Sequence, residues 1–412
     1  MTAIDAAAGY GFPDAGVAAA AGLWGLDPAV AMLNHGGFGA CPIAVLRRQA
    51  ELRRQMEAEP VRFFLKELPP LRDAARQELA SWLGAGPEDL VFLPNATAGV
   101  NSVLRSLRFR PGDELLVTDH GYNACTNVAR YVARRDAARL VVVAVPLPVE
   151  SPRQVIDSVL AGVSGRTRLA ILDHVTSPSG VVFPIEELVR RLGAVGVDTL
   201  VDGAHAPGMI SLDLGRIGAA YYTGNLHKWA CTPKGAGFLH VRPDRQEGLQ
   251  PPIISHGYNQ ARPGYSRFQD AFDWMGTDDP TAWLCVGEAL DLLGRLLPGG
   301  REALADRNRR CVLAARRMLC GRLGAAPLCP ESMIGSIAAM RLPGDPGPAV
   351  ALLDSHPLSR ELLERFAIEV PVYTWPDPPW TLLRISAQAY NHPGQYRRLA
   401  DALEVLLAAK IR

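Results

Sequence analysis

An α/β fold is what this 412-residue sequence predicts: a mainly parallel seven-stranded sheet between helices, then a smaller α+β C-terminal domain. Two observations carry it. Short apolar runs at 90–93, 114–118, 140–145, 168–172, 199–201, 219–222 and 237–241 are mostly separated by helical patterns, around 97–107, 124–135, 152–162 and 185–195. Strand and helix in alternation imply crossover units and parallel strands covered on both faces. After about residue 255 the order changes to long helices at 281–297 and 301–322, strands near 335–341 and 381–385, and a closing helix at 394–409.

The flanking elements follow from their own signals. Residues 1–32, rich in Ala and Gly, read as an N-terminal arm with one short helix. Helical spacing then runs over 41–59 and stops at Pro60, and a second helix fits 70–84, ended by Gly84-Ala85-Gly86-Pro87. The expected domains are therefore an arm (1–32), a large domain (33–254) and a small domain (255–412).

Composition removes several functions. Lys+Arg is 43 against Asp+Glu 42, a net charge of +1, which gives no electrostatic case for nucleic acid or an anionic membrane. No stretch of 18 apolar residues avoids charge or proline, and the N-terminus lacks a basic start and apolar core; a soluble cytoplasmic protein is the expectation. The seven cysteines are scattered without a CxxC pair, which argues against a disulfide framework or a structural zinc site, so no metal is expected. The only lysines are Lys66, Lys228, Lys234 and Lys410, which leaves few candidates for amine chemistry.

In open parallel sheets ligands bind beyond the carboxyl ends of the strands. After the run at 90–93 comes Pro94-Asn95-Ala96-Thr97-Ala98-Gly99, small residues opening a helix. Free N–H groups and the helix dipole make that a seat for a phosphate, or simply a capped helix start. After 199–201 comes Asp202-Gly203-Ala204-His205, a carboxylate suited to a cationic ring nitrogen, or an ordinary turn Asp beside a structural His. After 219–222 comes Thr223-Gly224-Asn225-Leu226-His227-Lys228-Trp229, with a lysine at a strand end in a chain that almost never uses one. Lys234, between Pro233 and Gly235, is the competitor. Phosphate seat, carboxylate and amine together are what pyridoxal phosphate requires.

At these residues the sequence resembles the fold-type-I pyridoxal-phosphate enzymes, in the class V aminotransferase branch and its isopenicillin N epimerase-like group. The pieces that carry the likeness are Leu33-Asn34-His35-Gly36-Gly37-Phe38-Gly39, Glu59-Pro60-Val61-Arg62-Phe63-Phe64, Asn95-Ala96-Thr97, Asp173-His174-Val175-Thr176-Ser177-Pro178, Asp202-Gly203-Ala204-His205 and His227-Lys228-Trp229. The resemblance implies that Lys228 is the lysine joined to the cofactor, that Asp202 pairs with its ring nitrogen and that His205 lies near its phenolic oxygen. It implies phosphate contacts from Asn95, Ala96, Thr97, Asn225 and His227, and an aromatic ring stacked on the cofactor from Asp119-His120-Gly121-Tyr122-Asn123. Tyr122 is the choice there and His120 the fallback.

The same likeness implies a homodimer with shared active sites, through Gly276-Thr277 in Trp274-Met275-Gly276-Thr277-Asp278, with Thr277 reaching the neighbouring subunit's phosphate. Arg384 in Leu383-Arg384-Ile385-Ser386 would grip the substrate's α-carboxylate, because a planar guanidinium offers two parallel donors. Asn34 and His35 are the other expected substrate contacts. One departure is informative: related cysteine desulfurases carry a nucleophilic cysteine shortly before this arginine, whereas residues 368–380 contain none.

The expected activity is chemistry at Cα and Cβ of an L-amino acid, favoured as β-elimination by a C–S lyase on a cysteine S-conjugate in sulfur or secondary metabolism. Epimerisation would need a second acid, for which His35, Tyr122 or Tyr258 are candidates; decarboxylation with oxidative deamination to an aldehyde and transamination are the further routes. The aromatic, proline-rich stretch 373–380 suggests a large, decorated amino acid, or packing at a dimer interface. A regulatory ligand-binding domain is disfavoured because no basic helical module precedes Leu33, and a nicotinamide dehydrogenase because no GxGxxG follows the first strand.

Overall fold

The computed structural model describes residues 10–13, 18–344, 356–375 and 379–410; residues 1–9 and 14–17 of the expected arm and 376–378 of the proline-rich stretch lie outside them. The central sheet comprises β1 (Leu90–Leu93), β2 (Glu114–Thr118), β3 (Arg139–Val143), β4 (Thr167–Asp173), β5 (Asp198–Gly203), β6 (Tyr221–Asn225) and β7 (Gly237–Val241). Its order is β1-β7-β6-β5-β4-β2-β3, with β7 antiparallel to both neighbours and the remaining pairs parallel. The expected mainly parallel seven-stranded sheet is what forms.

Period-two alternation divides each strand between two cores. Leu116, Ala170, Leu172, Val201, Tyr222 and Phe238 enter one apolar cluster, while Leu115, Val117, Leu169, Ile171, Leu200, Tyr221 and Leu239 enter the other. The second cluster also holds Val100, Val103 and Leu104 of helix α3 (Ala96–Ser106) and Cys125, Val128 and Val132 of α4 (Asn123–Arg135). Counting on by twos, Asp173, Asp202, Thr223 and Asn225 leave their strand ends on the face covered by those two helices. That parity, not any local motif, brings the candidate residues together.

Two boundaries differ from expectation. Helix α1 (Ile43–Ala58) does end before Pro60, but Pro60 itself opens a new helical segment that passes through one π-helical turn (Phe63–Glu67) into α2 (Leu68–Leu83). Proline lacks an N–H and has a preset φ, so it breaks the helix it follows and suits the one it begins. The expected helix 281–297 is divided at Cys285 (φ −85°, ψ 8°) into Thr281–Leu284 and Val286–Arg295.

The C-terminal lobe has a four-stranded antiparallel sheet ordered β10 (Val372–Thr374), β11 (Thr381–Ser386), β9 (Ile337–Arg341), β8 (Ala326–Pro327), backed by Gly300–Leu323 and Pro393–Lys410. Ala31–Met32 pairs in parallel with Ile368–Glu369, so the segment before α1 is sewn into this lobe. The Leu33 carbonyl accepts from Ser386 N–H, and His35 N–H donates to Ser386 Oγ at 2.7 Å. Asn34 and His35 thereby arrive beside β11 and its Arg384. Among the described residues no helix is long and apolar enough to cross a membrane.

Candidate active site

Lys228 lies just past the end of β6, its Nζ 3.2 Å from His205 Nε2. Its residue keeps some exposure, yet the amine is shielded enough that burial, aided by the Arg384 cation, lowers its pKa from 10.5 to about 8. Lys234 is committed elsewhere, donating to the Gly39 carbonyl at 2.9 Å. The structure thus separates the two lysines that sequence left in competition: one faces the strand ends, the other ties down a loop.

The lowered pKa makes a stability prediction. In the unfolded chain the amine binds its proton with the ordinary pKa, so below pH 8 folding must bury a charged group at a cost of about 3 kcal/mol at most. That cost fades as pH rises from about 8 to 10.5. Cofactor-free Lys228→Met should therefore resist urea better than the cofactor-free parent at pH 7, with the gap closing toward pH 10.5 in paired denaturation curves.

His205 is buried, and burial followed by the Lys228 and Arg384 charges holds its pKa well below 6.5, so the ring is neutral. With Nε2 facing the Lys228 ammonium, the ring proton sits on Nδ1, and Nδ1 is buried without a partner among the described residues. A buried N–H wants an acceptor; a phenolic oxygen placed there satisfies it. Asp202, also buried, accepts from Ala204 N–H at 2.9 Å and from the Cys125 thiol at 3.0 Å. Cys125 was not anticipated, since no sequence signal marks the first turn of α4 as facing β5.

At α3, Asn95 caps the helix by accepting from Ala98 N–H at 2.9 Å, and Asn225 Oδ1 accepts from Ala96 N–H at 2.8 Å. The ordinary capping role is therefore real, and the same turn leaves the Thr97 end of the helix toward Asn225. His227 donates from Nδ1 to the Ala236 carbonyl at 3.1 Å, and burial lowers its pKa to about 4. Small residues and helix N–H groups at the start of α3 suit an anion, whereas the neutral His227 has its proton committed to Ala236 and would donate to one only after taking up a second proton at Nε2.

Gly39 sits at φ +73°, where a Cβ would overlap the His227 carbonyl oxygen and lie 2.8 Å from Lys228 Cα. Gly39→Ala should cost roughly 2–4 kcal/mol by combining strained backbone with displacement of the Lys228 segment. Urea unfolding of the variant measures this directly, and a fall in cofactor affinity should accompany it.

Tyr122 and His120 separate cleanly. His120 is fully buried, with Nδ1 on Ser179 Oγ (2.9 Å), Nε2 on the Val145 carbonyl (3.0 Å) and its ring edge-on to Trp375. Tyr122 precedes α4 and remains over a third exposed; burial, then Cys125 and Asp202, push its hydroxyl pKa up while Arg384 pulls it down. Tyr122 therefore shares the pocket with these groups, whereas His120 is a structural brace.

Arg384 is buried on β11, donating from Nη1 to the Ser177 carbonyl at 2.6 Å and from Nη2 to Asn34 Oδ1 at 3.3 Å, with the Tyr373 ring 5.8 Å away. Asn34 is in turn held by Glu369 (3.2 Å). Asn34 thus orients the guanidinium. His35 is engaged within the chain. Its Nδ1 faces the Tyr390 hydroxyl at 2.9 Å, its Nε2 the Lys228 carbonyl at 3.0 Å, and burial lowers its pKa to about 3. With both nitrogens occupied it braces the Lys228 backbone and has none left for a substrate. Thr277 is exposed, and among the described residues no hydrogen bond links it to the cluster.

The described rings of the aromatic stretch have partners within the chain. Tyr373 donates to the Pro178 carbonyl at 2.6 Å, Trp375 meets His120, and Trp380 lies under the Arg341 guanidinium at 4.6 Å. These rings support the walls around Arg384.

Fold and site define a fold-type-I pyridoxal-phosphate enzyme. Residues 40–315 match the model of the aminotransferase class V family, and the chain belongs to that family. It is 38% identical over 393 residues, 92% of this chain and 96% of the other, to isopenicillin N epimerase of Streptomyces clavuligerus. It is 33% identical over 405 residues, 92% and 84% of the two chains, to a probable chloroplastic L-cysteine desulfhydrase of Arabidopsis thaliana. Among solved structures, a C-DES variant with glycine covalently linked to its pyridoxal-phosphate cofactor superposes with a TM-score of 0.73 at 21% identity, covering 91% of this chain and 96% of that one. The cofactor is pyridoxal 5'-phosphate, and the protein is an enzyme that uses it.

Proposed function

We propose that this enzyme is a cytoplasmic, homodimeric C–S lyase that eliminates a thiol from Cβ of an L-cysteine S-conjugate. The observation that carries this reading is the disposition of bases: Lys228, with a pKa drawn down to about 8, stands beside His205, while two of the three candidate acids, His35 and Tyr258, are engaged or displaced. His35 has both nitrogens occupied, and Tyr258 is 61% exposed. Elimination needs one amine; inversion needs an acid on each face.

Bound pyridoxal phosphate supplies an electron sink conjugated to the substrate's Cα. Arg384, fixed by Ser177 and Asn34, takes the α-carboxylate and so sets which bond at Cα faces Lys228. The Lys228 amine removes the Cα proton, and the resulting ammonium is placed to return a proton to the departing sulfur as the Cβ–S bond breaks. With the cofactor bound, Asp202 would pair with its ring nitrogen, Tyr122 would cover the ring and the unpartnered His205 Nδ1 would donate to its phenolic oxygen. The helix start at Ala96 and Thr97, with Asn95 and Asn225, would hold the phosphate, His227 would join them by taking up a proton at Nε2, and Thr277 would complete the partner subunit's phosphate site. Water then releases ammonia and the keto acid, so thiol, ammonia and pyruvate form in equal amounts.

Likeness to isopenicillin N epimerase favours a second reading, inversion at Cα with Tyr122 as the opposite acid. One experiment separates them. Incubated with a cysteine S-conjugate in heavy water, the enzyme should release pyruvate and thiol stoichiometrically; recovery of intact, deuterated and optically inverted amino acid without pyruvate would replace lyase by epimerase.

A further inference from the structure

Asp173 is a second carboxyl at the ring end of the site that the reaction outlined above does not use. It ends β4 as the register partner of Asp202 on β5, so the two side chains leave adjacent parallel strands on the same face, roughly 5 Å apart at Cα. Both are buried, at 4% and 3% exposure. Two carboxylates so placed in an apolar setting do not both ionise at neutral pH without a cation for each.

The surrounding groups decide which one keeps the charge. Asp202 has two donors of its own, Ala204 N–H and the Cys125 thiol. Asp173 has the Tyr122 backbone N–H, and burial followed by the Asp202 charge raises its pKa well above the usual carboxylate range. Among the described residues Lys228 is the cation opposing the pair directly; Arg384 and the neutral His205 lie beyond it, and the Cys125 thiol, its pKa also well raised, adds no charge. On the other side of β4, Asp119 follows β2 and is engaged by Val145 N–H at 2.9 Å.

We propose that Asp173 is a positioning residue that works in its protonated, neutral form, keeping a single negative charge behind the cofactor's ring nitrogen and locating that charge on Asp202. It also anchors the Tyr122 backbone from beneath, which couples the ring's partner to the ring's cover. The proposal rests on Asp202 facing the ring nitrogen, and on nothing about the leaving group. Ionisation of Asp173 at alkaline pH would place a second anion beside Asp202 and alter the bound cofactor's absorption.

The test is the absorbance of the holoenzyme titrated between about pH 6 and 10, together with cofactor affinity, for the parent, Asp173→Asn and Asp173→Thr. Both substitutions supply a neutral acceptor for the Tyr122 N–H. At pH 7 each should bind pyridoxal phosphate within about threefold of the parent, and both should lack one alkaline inflection that the parent shows. A tenfold or greater loss of affinity in Asp173→Asn would mean that the anion is required, and an unchanged inflection would mean that another group titrates; either overturns the proposal. Asp202→Asn is the control for the underlying assignment: it should weaken cofactor binding and shift the spectrum at every pH. If it does neither, the placement of Asp202 fails, and that is distinguishable from failure at Asp173.

Discussion

Lys228→Ala is expected to lower the rate of product formation from any amino-acid substrate by about a thousandfold or more, the scale on which a positioned proton-transfer base acts. The variant loses the amine that stands 3.2 Å from His205, and the chain offers no substitute. Lys234 is tied to the Gly39 carbonyl, and the only other lysines lie in a π-helical turn (Lys66) and at the C-terminal end of the last helix (Lys410). Folding should survive, because removing a buried cation with a lowered pKa relieves a cost. Steady-state assays of the variant, with circular dichroism to verify its fold, check both halves of this statement.

The second large effect is at Arg384. Arg384→Lys should reduce kcat/KM by roughly 30- to 1,000-fold, equivalent to about 2–4 kcal/mol. Most of the loss should appear in KM. Lysine keeps the charge but cannot donate at once to Ser177, Asn34 and a carboxylate in one plane. Asn34→Ala, which removes the orienting acceptor and keeps the guanidinium, should show a smaller loss of the same kind. A decarboxylated substrate analogue gives the control: the parent's preference for the amino acid over the amine should shrink in both variants.

Much of this site was legible in the sequence because parallel strands announce where their ends are. The apolar runs located the carboxyl edge, and the residues following β5 and β6 carried unusual chemistry: Asp202, His205 and a scarce lysine. Arginine's dominance over lysine did the rest, since it removed the surface background against which Lys228 would otherwise be invisible. Residues whose importance depends on the neighbouring strand or helix were not legible. In sequence Asp173 is only one letter of a motif, and Cys125 only one thiol among seven; both acquire meaning from the β4–β5 register and from the first turn of α4.

His35 shows the converse, a residue whose contacts local sequence does not announce. A histidine between Asn34 and two glycines looks available for substrate, yet its two nitrogens are claimed by Tyr390 and by the Lys228 carbonyl, contacts separated by 355 and 193 residues. No local pattern could have revealed partners so distant. Likewise Pro60 is visible in sequence as a stop but not as a start, because the helix it opens depends on packing of Phe63 and Leu68 in a cluster with Met56.

The central claim is the attachment of pyridoxal phosphate to one nitrogen, and borohydride reduction of the holoenzyme followed by peptide mapping tests it most directly. The account predicts loss of the visible absorption band and a single reduced pyridoxyl adduct on the peptide containing Lys228. An adduct on Lys234 or Lys66, with the Lys228 peptide recovered unmodified, would contradict it.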